Sequence, residues 1–215
     1  MIDGGPIIAL LTGLDKPSSN AKTGPMLQTW ILREDMPPKE ALNGADYSIC
    51  GACPLKKDAC YVNVHFAPRA HYQKYKEGKC ETGNLKKLGR NQRVRLGSYG
   101  DPSAVPIQIW NDLLSHADGW TGYTHSPHIQ PELKKYVQAS TESTEDTSRL
   151  QAEGWKTYRI KNEDDPVEKG EVLCPYGQGV KCISCLMCDG QTKNIVINVH
   201  GTKSKIKAYQ NLHIP

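Results

Sequence analysis

The sequence predicts a single α/β domain, an open six-stranded (β/α) partial TIM-type barrel with cysteine-rich metal-binding loops. Three observations carry that expectation. Short apolar, β-prone segments alternate with helical ones along most of the chain, which is the rhythm of parallel βα units. Polar residues recur just after the strand segments, at the rim where βα barrels gather their active sites. Seven of the eight cysteines fall into two groups at metal-ligand spacing.

Taken in order, residues 1–17 are punctuated by Gly and Pro and read as an irregular lead-in. Residues 26–32 read as a first buried strand that Pro37 and Pro38 end. Residues 39–64 form a long loop carrying the first cysteine group, and such lengths are usually functional. A helix is expected over 67–79, then a strand over 94–99 that closes in Gly100, Asp101 and Pro102. Pro106 opens a helix whose apolar face is Ile107, Trp110, Leu113 and Leu114. Strands follow at 120–124, 137–141 and 155–160. A short helix after Pro131 and a helix capped by Asp146 separate them, the latter stopping at Gly154. The cysteine segment 170–192, a last strand over 194–200 and a short helix complete one domain, 1–215.

The chain has 215 residues, a formal net charge of +4 and eight cysteines. The longest apolar run, 7–11, is far too short to span a bilayer, so no membrane role is expected. No basic-then-apolar leader opens the sequence, which predicts a cytoplasmic protein. In that reducing compartment tight cysteine spacings point to metal rather than to disulfides. The net charge is too mild to establish nucleic-acid binding, yet residues 69–95 are distinctly basic. That stretch reads either as a solvated helix face or as a track for a phosphate backbone.

Cys174, Cys182, Cys185 and Cys188 supply four thiolates, enough to close a Zn²⁺ site or a [4Fe–4S] cluster. The run of cysteines three apart is the pattern of ferredoxin-like iron–sulfur sites. Cys50, Cys53 and Cys60 supply three ligands and would leave one iron of a cluster open. Convergence of both groups on one site also satisfies the spacing. His65, His71 and His200 are further candidate ligands or ordinary hydrogen-bonding residues, and Cys80 reads as a free surface thiol. Asp101, His125 and Glu142 at successive strand ends are the candidate catalytic residues. Asp101 between Gly100 and Pro102 also suits a plain turn.

NAKTG at 20–24, CGACP with its following CY, VRLGSYGDP at 94–102, GYTH at 122–125, QASTES at 138–143 and GWKTYR at 154–159 occur in this order. Together they resemble the bacteriophage protein family named for gene product 88, over residues 18–201. The resemblance implies a phage-encoded protein working in the host cytoplasm, with host proteins among its partners. At one remove the pattern is similar to radical-SAM enzymes, in which three cysteines after the first strand hold a four-iron cluster. That likeness implies Cys50, Cys53 and Cys60 as cluster ligands and S-adenosylmethionine on the open iron. It places the turn containing Gly97 and Gly100 near the cofactor's amino group, and Glu142 near its ribose. The second cysteine group would match an auxiliary cluster. The spacing here, Cys-x-x-Cys-x₆-Cys, departs from the radical-SAM Cys-x₃-Cys-x₂-Cys.

The implied function is an iron–sulfur protein, radical-SAM-like if an enzyme, acting on a nucleotide or nucleic acid. One alternative is a zinc-dependent base transglycosylase, with Cys182, Cys185, Cys188 and His200 as ligands and Asp101 as nucleophile. Another is a non-enzymatic, metal-stapled protein that binds nucleic acid or a host protein through residues 69–95.

Overall fold

The β-prone segments pair into one sheet in a computed structural model that describes residues 2–212. Its strands are β1 (Ile7–Thr12), β2 (Leu27–Arg33), β3 (Arg93–Tyr99), β4 (Gly119–Thr124), β5 (Gln138–Thr141), β6 (Thr157–Lys161), β7 (Glu171–Leu173) and β8 (Asn194–Asn198). They lie in the order β1-β2-β3-β4-β5-β6-β8-β7. Every neighbouring pair is parallel except β1 with β2. The six strands read from the sequence are therefore the consecutive parallel run from β2 to β8, leaving out β7. The fold is mixed α/β with a mostly parallel sheet that is not closed.

Two strands escape the sequence reading. The segment taken for an irregular lead-in contains β1, antiparallel to β2 from Ile7 opposite Arg33 to Thr12 opposite Gln28. Its flanking Gly and Pro residues bound the strand rather than break it, and Trp30 Nε1 donates to Thr12 Oγ1 at 2.9 Å. The second, β7, is three residues long and pairs with β8 at the far edge. The long loop 39–64 contains two single helical turns, Pro38–Ala41 and Tyr47–Cys50. The helix expected from Asp146 begins earlier, at Thr144, and its cap is Ser143, whose hydroxyl accepts from the Asp146 N–H at 3.1 Å.

Alternation along parallel strands sorts side chains onto two faces. On one face Val94 and Leu96 of β3 pack with Trp110, Leu113 and Leu114 from the helix Ile107–Leu114 and with Leu133 and Val137. These side chains are 0–4 % exposed. Each such burial contributes about 1.5–3 kcal/mol before entropy is counted. The other face is polar and aromatic. The Arg95 guanidinium lies 5.8 Å from the Tyr123 ring centroid, and the Tyr123 and Tyr158 rings are 4.0 Å apart. Beside them Tyr158, Ile195, Ile197 and Cys188 form a smaller apolar cluster. Cys188 and Cys174 of the second cysteine group belong to this cluster, whereas Cys50 of the first packs against the larger apolar core.

Candidate functional site

The first cysteine group lies beyond the C-terminal ends of β3 and β4. The helical turn Tyr47–Cys50 is tied there by a 2.6 Å hydrogen bond from the Asp101 N–H to the Ile49 carbonyl. Cys50, Cys53 and Cys60 line one cavity of about 220 Å³ together with Asp46, Lys56, His65, Tyr99 and Lys205. Lys205, from the C-terminal helix Lys203–Gln210, donates to the carbonyls of Cys60 and Val62 and closes the cavity's side. Burial, with the neighbouring thiols of the group adding to it, pushes Cys50 well above the ordinary cysteine range. Burial also raises Cys60. A metal that binds there must displace those protons.

The three rim residues read from the sequence do come together. Asp101, His125 and Glu142 follow β3, β4 and β5 directly, so parallel pairing brings them side by side. The Asp101 carboxylate takes three hydrogen bonds. It accepts from the Ser103 N–H at 2.9 Å, the Thr124 hydroxyl at 2.7 Å and the His125 N–H at 2.8 Å. It is a clamp that fixes the His125 backbone. His125 Nε2 lies 2.8 Å from Glu142 Oε1, and the ring is also hydrogen-bonded to Cys53. Burial disfavours the charged imidazole, but Cys53 and then Glu142 outweigh it and hold His125 well above its ordinary range. His125 thus connects the polar rim to the first cysteine group.

Gly97 and Gly100 are both demanded by the backbone of the turn after β3. Gly97 has φ +66, its N–H donates to Thr29 Oγ1 at 2.8 Å, and a Cβ would meet the Gly100 carbonyl at 2.7 Å. Gly100 has φ +81, and a Cβ would meet the Ile31 Cβ and carbonyl at 2.6 Å. The tightness of the turn itself explains Gly97, and its packing against Ile31 of β2 explains Gly100. Glu142, placed near the cofactor's ribose by the resemblance, has Oε1 engaged by His125.

The second group lies against the opposite ends of the strands. Cys182 N–H donates to the Lys22 carbonyl at 3.0 Å and Ile183 N–H to Thr23 at 3.0 Å. Arg93 reaches the Ile183 carbonyl at 2.7 Å, and Gly122 N–H donates to Cys188 at 3.0 Å. Cys174, Cys182, Cys185 and Cys188 line a second, much smaller cavity of about 20 Å³ with Thr121, Tyr123 and Tyr176. Burial is the main cause that pushes the Cys188 thiol up to about 12, partly offset by a hydrogen bond with Tyr123. The two groups stay in separate cavities, so a single shared site is not what the fold brings together. Among the described residues no group of three or more His, Cys, Asp or Glu side chains is arranged to hold a metal ion.

The remaining candidates disperse. His200 shares a 3.1 Å contact with Lys22 Nζ and stacks on Tyr61 at 5.8 Å. His71 packs tilted against Trp30 with the ring centroids 4.7 Å apart, while Cys80 is exposed. His65 lines the first cavity. The basic stretch splits: Arg69, Lys74, Lys76, Lys79, Lys86, Lys87, Arg90 and Arg93 are exposed, whereas Arg95 is 5 % exposed and points its charge at Tyr61 and Tyr123. Lys22, Arg95 and Thr121 are the residues that sequence reasoning missed. Nothing local marks them, because their importance lies in contacts between distant parts of the chain, from Arg95 with Tyr61, 34 positions apart, to Lys22 with His200, 178 apart. Comparison of the chain with family models, with curated proteins and with solved structures found no match.

Proposed function

We propose that this is an iron–sulfur protein on an open six-stranded (β/α) partial barrel. In this reading Cys50, Cys53 and Cys60 hold a four-iron cluster with one iron left for a ligand. The observation that carries it is the cavity of about 220 Å³ lined by all three thiols. It exceeds the roughly 150 Å³ that admits a benzene-sized guest, so it has room for a group larger than one ion. Three thiols around such a space suit a cluster, whose ligands bind different irons and are held apart by the cluster itself. Six consecutive parallel strands with polar residues at their C-terminal ends support the barrel and the position of the site.

When bound, the cluster supplies electron transfer or Lewis acidity at its open iron. The chain's own contribution is His125, oriented through its backbone by Asp101 and through Nε2 by Glu142, as the group that holds or moves a proton at the rim. A nucleotide or nucleic acid is the substrate class we favour, since the exposed lysines and arginines of 69–93 offer a phosphate-binding surface. Anaerobic purification followed by iron and sulfide analysis tests the reading. We expect about four irons lost together in Cys53→Ser, with an EPR signal in the reduced wild type. A colourless wild-type protein without acid-labile sulfide removes the proposal.

The hydrogen-bonded series Cys53, His125, Glu142 favours a second reading, a thiol nucleophile with its base and orienting acid. Rapid, selective alkylation of Cys53 in iron-free protein, abolished by His125→Gln, would favour it over the cluster.

A further inference from the structure

We propose that the second cysteine group holds a single divalent transition-metal ion on four thiolates, with Lys22 and Arg95 as its counter-charges, so that the two cysteine groups take different metals. The proposal shares with the preceding reading only the premise that thiols in this protein bind metal. Size is the first argument. The cavity lined by Cys174, Cys182, Cys185 and Cys188 is about 20 Å³, against about 220 Å³ for the other. A single water needs about 10–15 Å³ of such space, so the smaller cavity suits one ion and is too small for a cluster. Leu186 takes φ 54, in the left-handed region, and turns the chain between Cys185 and Cys188 into a knuckle. In the proposal the four thiols that line this one cavity turn onto the ion when it binds.

Charge is the second argument. Four thiolates around a divalent ion leave a net double negative charge, which a buried site must balance. Among the described residues neither Lys22 nor Arg95 forms an ion pair with a carboxylate. Lys22 Nζ has His200 Nε2 at 3.1 Å and lies 5.4 Å from the Tyr176 ring centroid. Arg95 hydrogen-bonds the Tyr61 hydroxyl at 2.5 Å and lies over Tyr123. Tyr176 and Tyr123 both line the small cavity, so the two cations flank it. A buried cation without a carboxylate partner, as Arg95 is at 5 % exposure, is unfavourable, and a dianionic centre between it and the half-buried Lys22 balances both charges.

The third argument is an unpartnered donor. Thr121 stands directly opposite Arg95 in the β3–β4 register. It is 1 % exposed and lines the cavity, and its hydroxyl has no partner among the described residues. With the Tyr123 hydrogen bond to Cys188, it supplies the outer hydrogen bonds that thiolate ligands take up.

The test uses the full chain purified anaerobically, with zinc and iron counted separately and Zn²⁺ affinity measured against a competing chelator. We expect about one zinc per chain, lost in Cys185→Ser with iron retained. Cobalt substitution of the wild type should give the charge-transfer intensity of four thiolates. Lys22→Met should weaken Zn²⁺ binding about 10- to 100-fold while Lys22→Arg keeps it. Iron lost in Cys185→Ser, a cobalt spectrum with fewer than four sulfurs, or Lys22→Met binding as tightly as wild type overturns the proposal. A wild type with zinc but no iron defeats the cluster reading and leaves this one standing.

Discussion

His71 shows how one side chain couples the fold to pH. It sits on the helix Ala67–Lys76 with its ring tilted 43° against Trp30 of β2. Burial, with Lys74 adding to it, lowers its pKa below the ordinary 6.5. The folded protein therefore binds that proton less readily than the unfolded chain, and unfolding takes a proton up. The stability this gives is complete above pH 6.5 and is lost as the pH falls below 6.5 toward the folded value. We expect the urea midpoint of the wild type to fall more steeply between about pH 7 and pH 5 than that of His71→Gln, the difference being this residue's share. Equal slopes would mean that the imidazole is as easily protonated folded as unfolded.

At the scale of elements the smallest strand makes the sharpest case. Three residues of β7 cannot hold a sheet edge by backbone pairing alone, and Glu171 secures it with two contacts to Arg159 of β6. Arg159 Nε lies 2.8 Å from Oε1 and Nη2 lies 2.7 Å from Oε2, with side chains 4 % and 1 % exposed. Removing one partner strands the other as a buried charge, so Glu171→Ala should cost about 3–5 kcal/mol in urea unfolding. The exposed pair between Arg149 and Asp146 is the contrast, and Asp146→Asn should leave the midpoint unchanged within error. The same elements mark what a sequence discloses. The six parallel strands were legible because helical and β-prone segments alternate at regular spacing. β1 was not, since Gly4, Gly5, Pro6 and Gly13 look like loop punctuation until β2 is present to pair with it. β7 was hidden in a charged segment too short to show alternation. Ser143 lost the cap to Asp146 because both suit an N-terminus and only backbone geometry separates them. The rim trio was legible because each member ends a strand. Arg95 was not, because in the sequence it closes a run of exposed basic residues and only its strand position turns it inward.

Over the whole molecule the segment 174–191 works as a stitch. It bonds Lys22 and Thr23 before β2, Arg93 of β3, Gly122 of β4, Lys135 before β5 and Val196 of β8. Trp120 adds a 3.0 Å bond to the Asp189 carbonyl. These contacts join parts of the chain 20 to 160 positions apart, so a metal that rigidifies the segment acts on the entire sheet. Residues 46–66 differ, for their cysteines fold over a cavity at one end and mostly contact their own loop and the rim. Metal stabilises whichever state binds it, and the reach of the bound segment sets how far that stabilisation spreads. Hydrogen–deuterium exchange should therefore separate the two cysteine groups. Cys185→Ser should raise exchange across residues 94–96, 120–122 and 195–197, far from the substitution. Cys53→Ser should raise it only within residues 46–66 and around His125. Protection lost equally across the sheet in both variants would mean that the two centres share one cooperative unit, and protection unchanged in Cys185→Ser would remove the stitch.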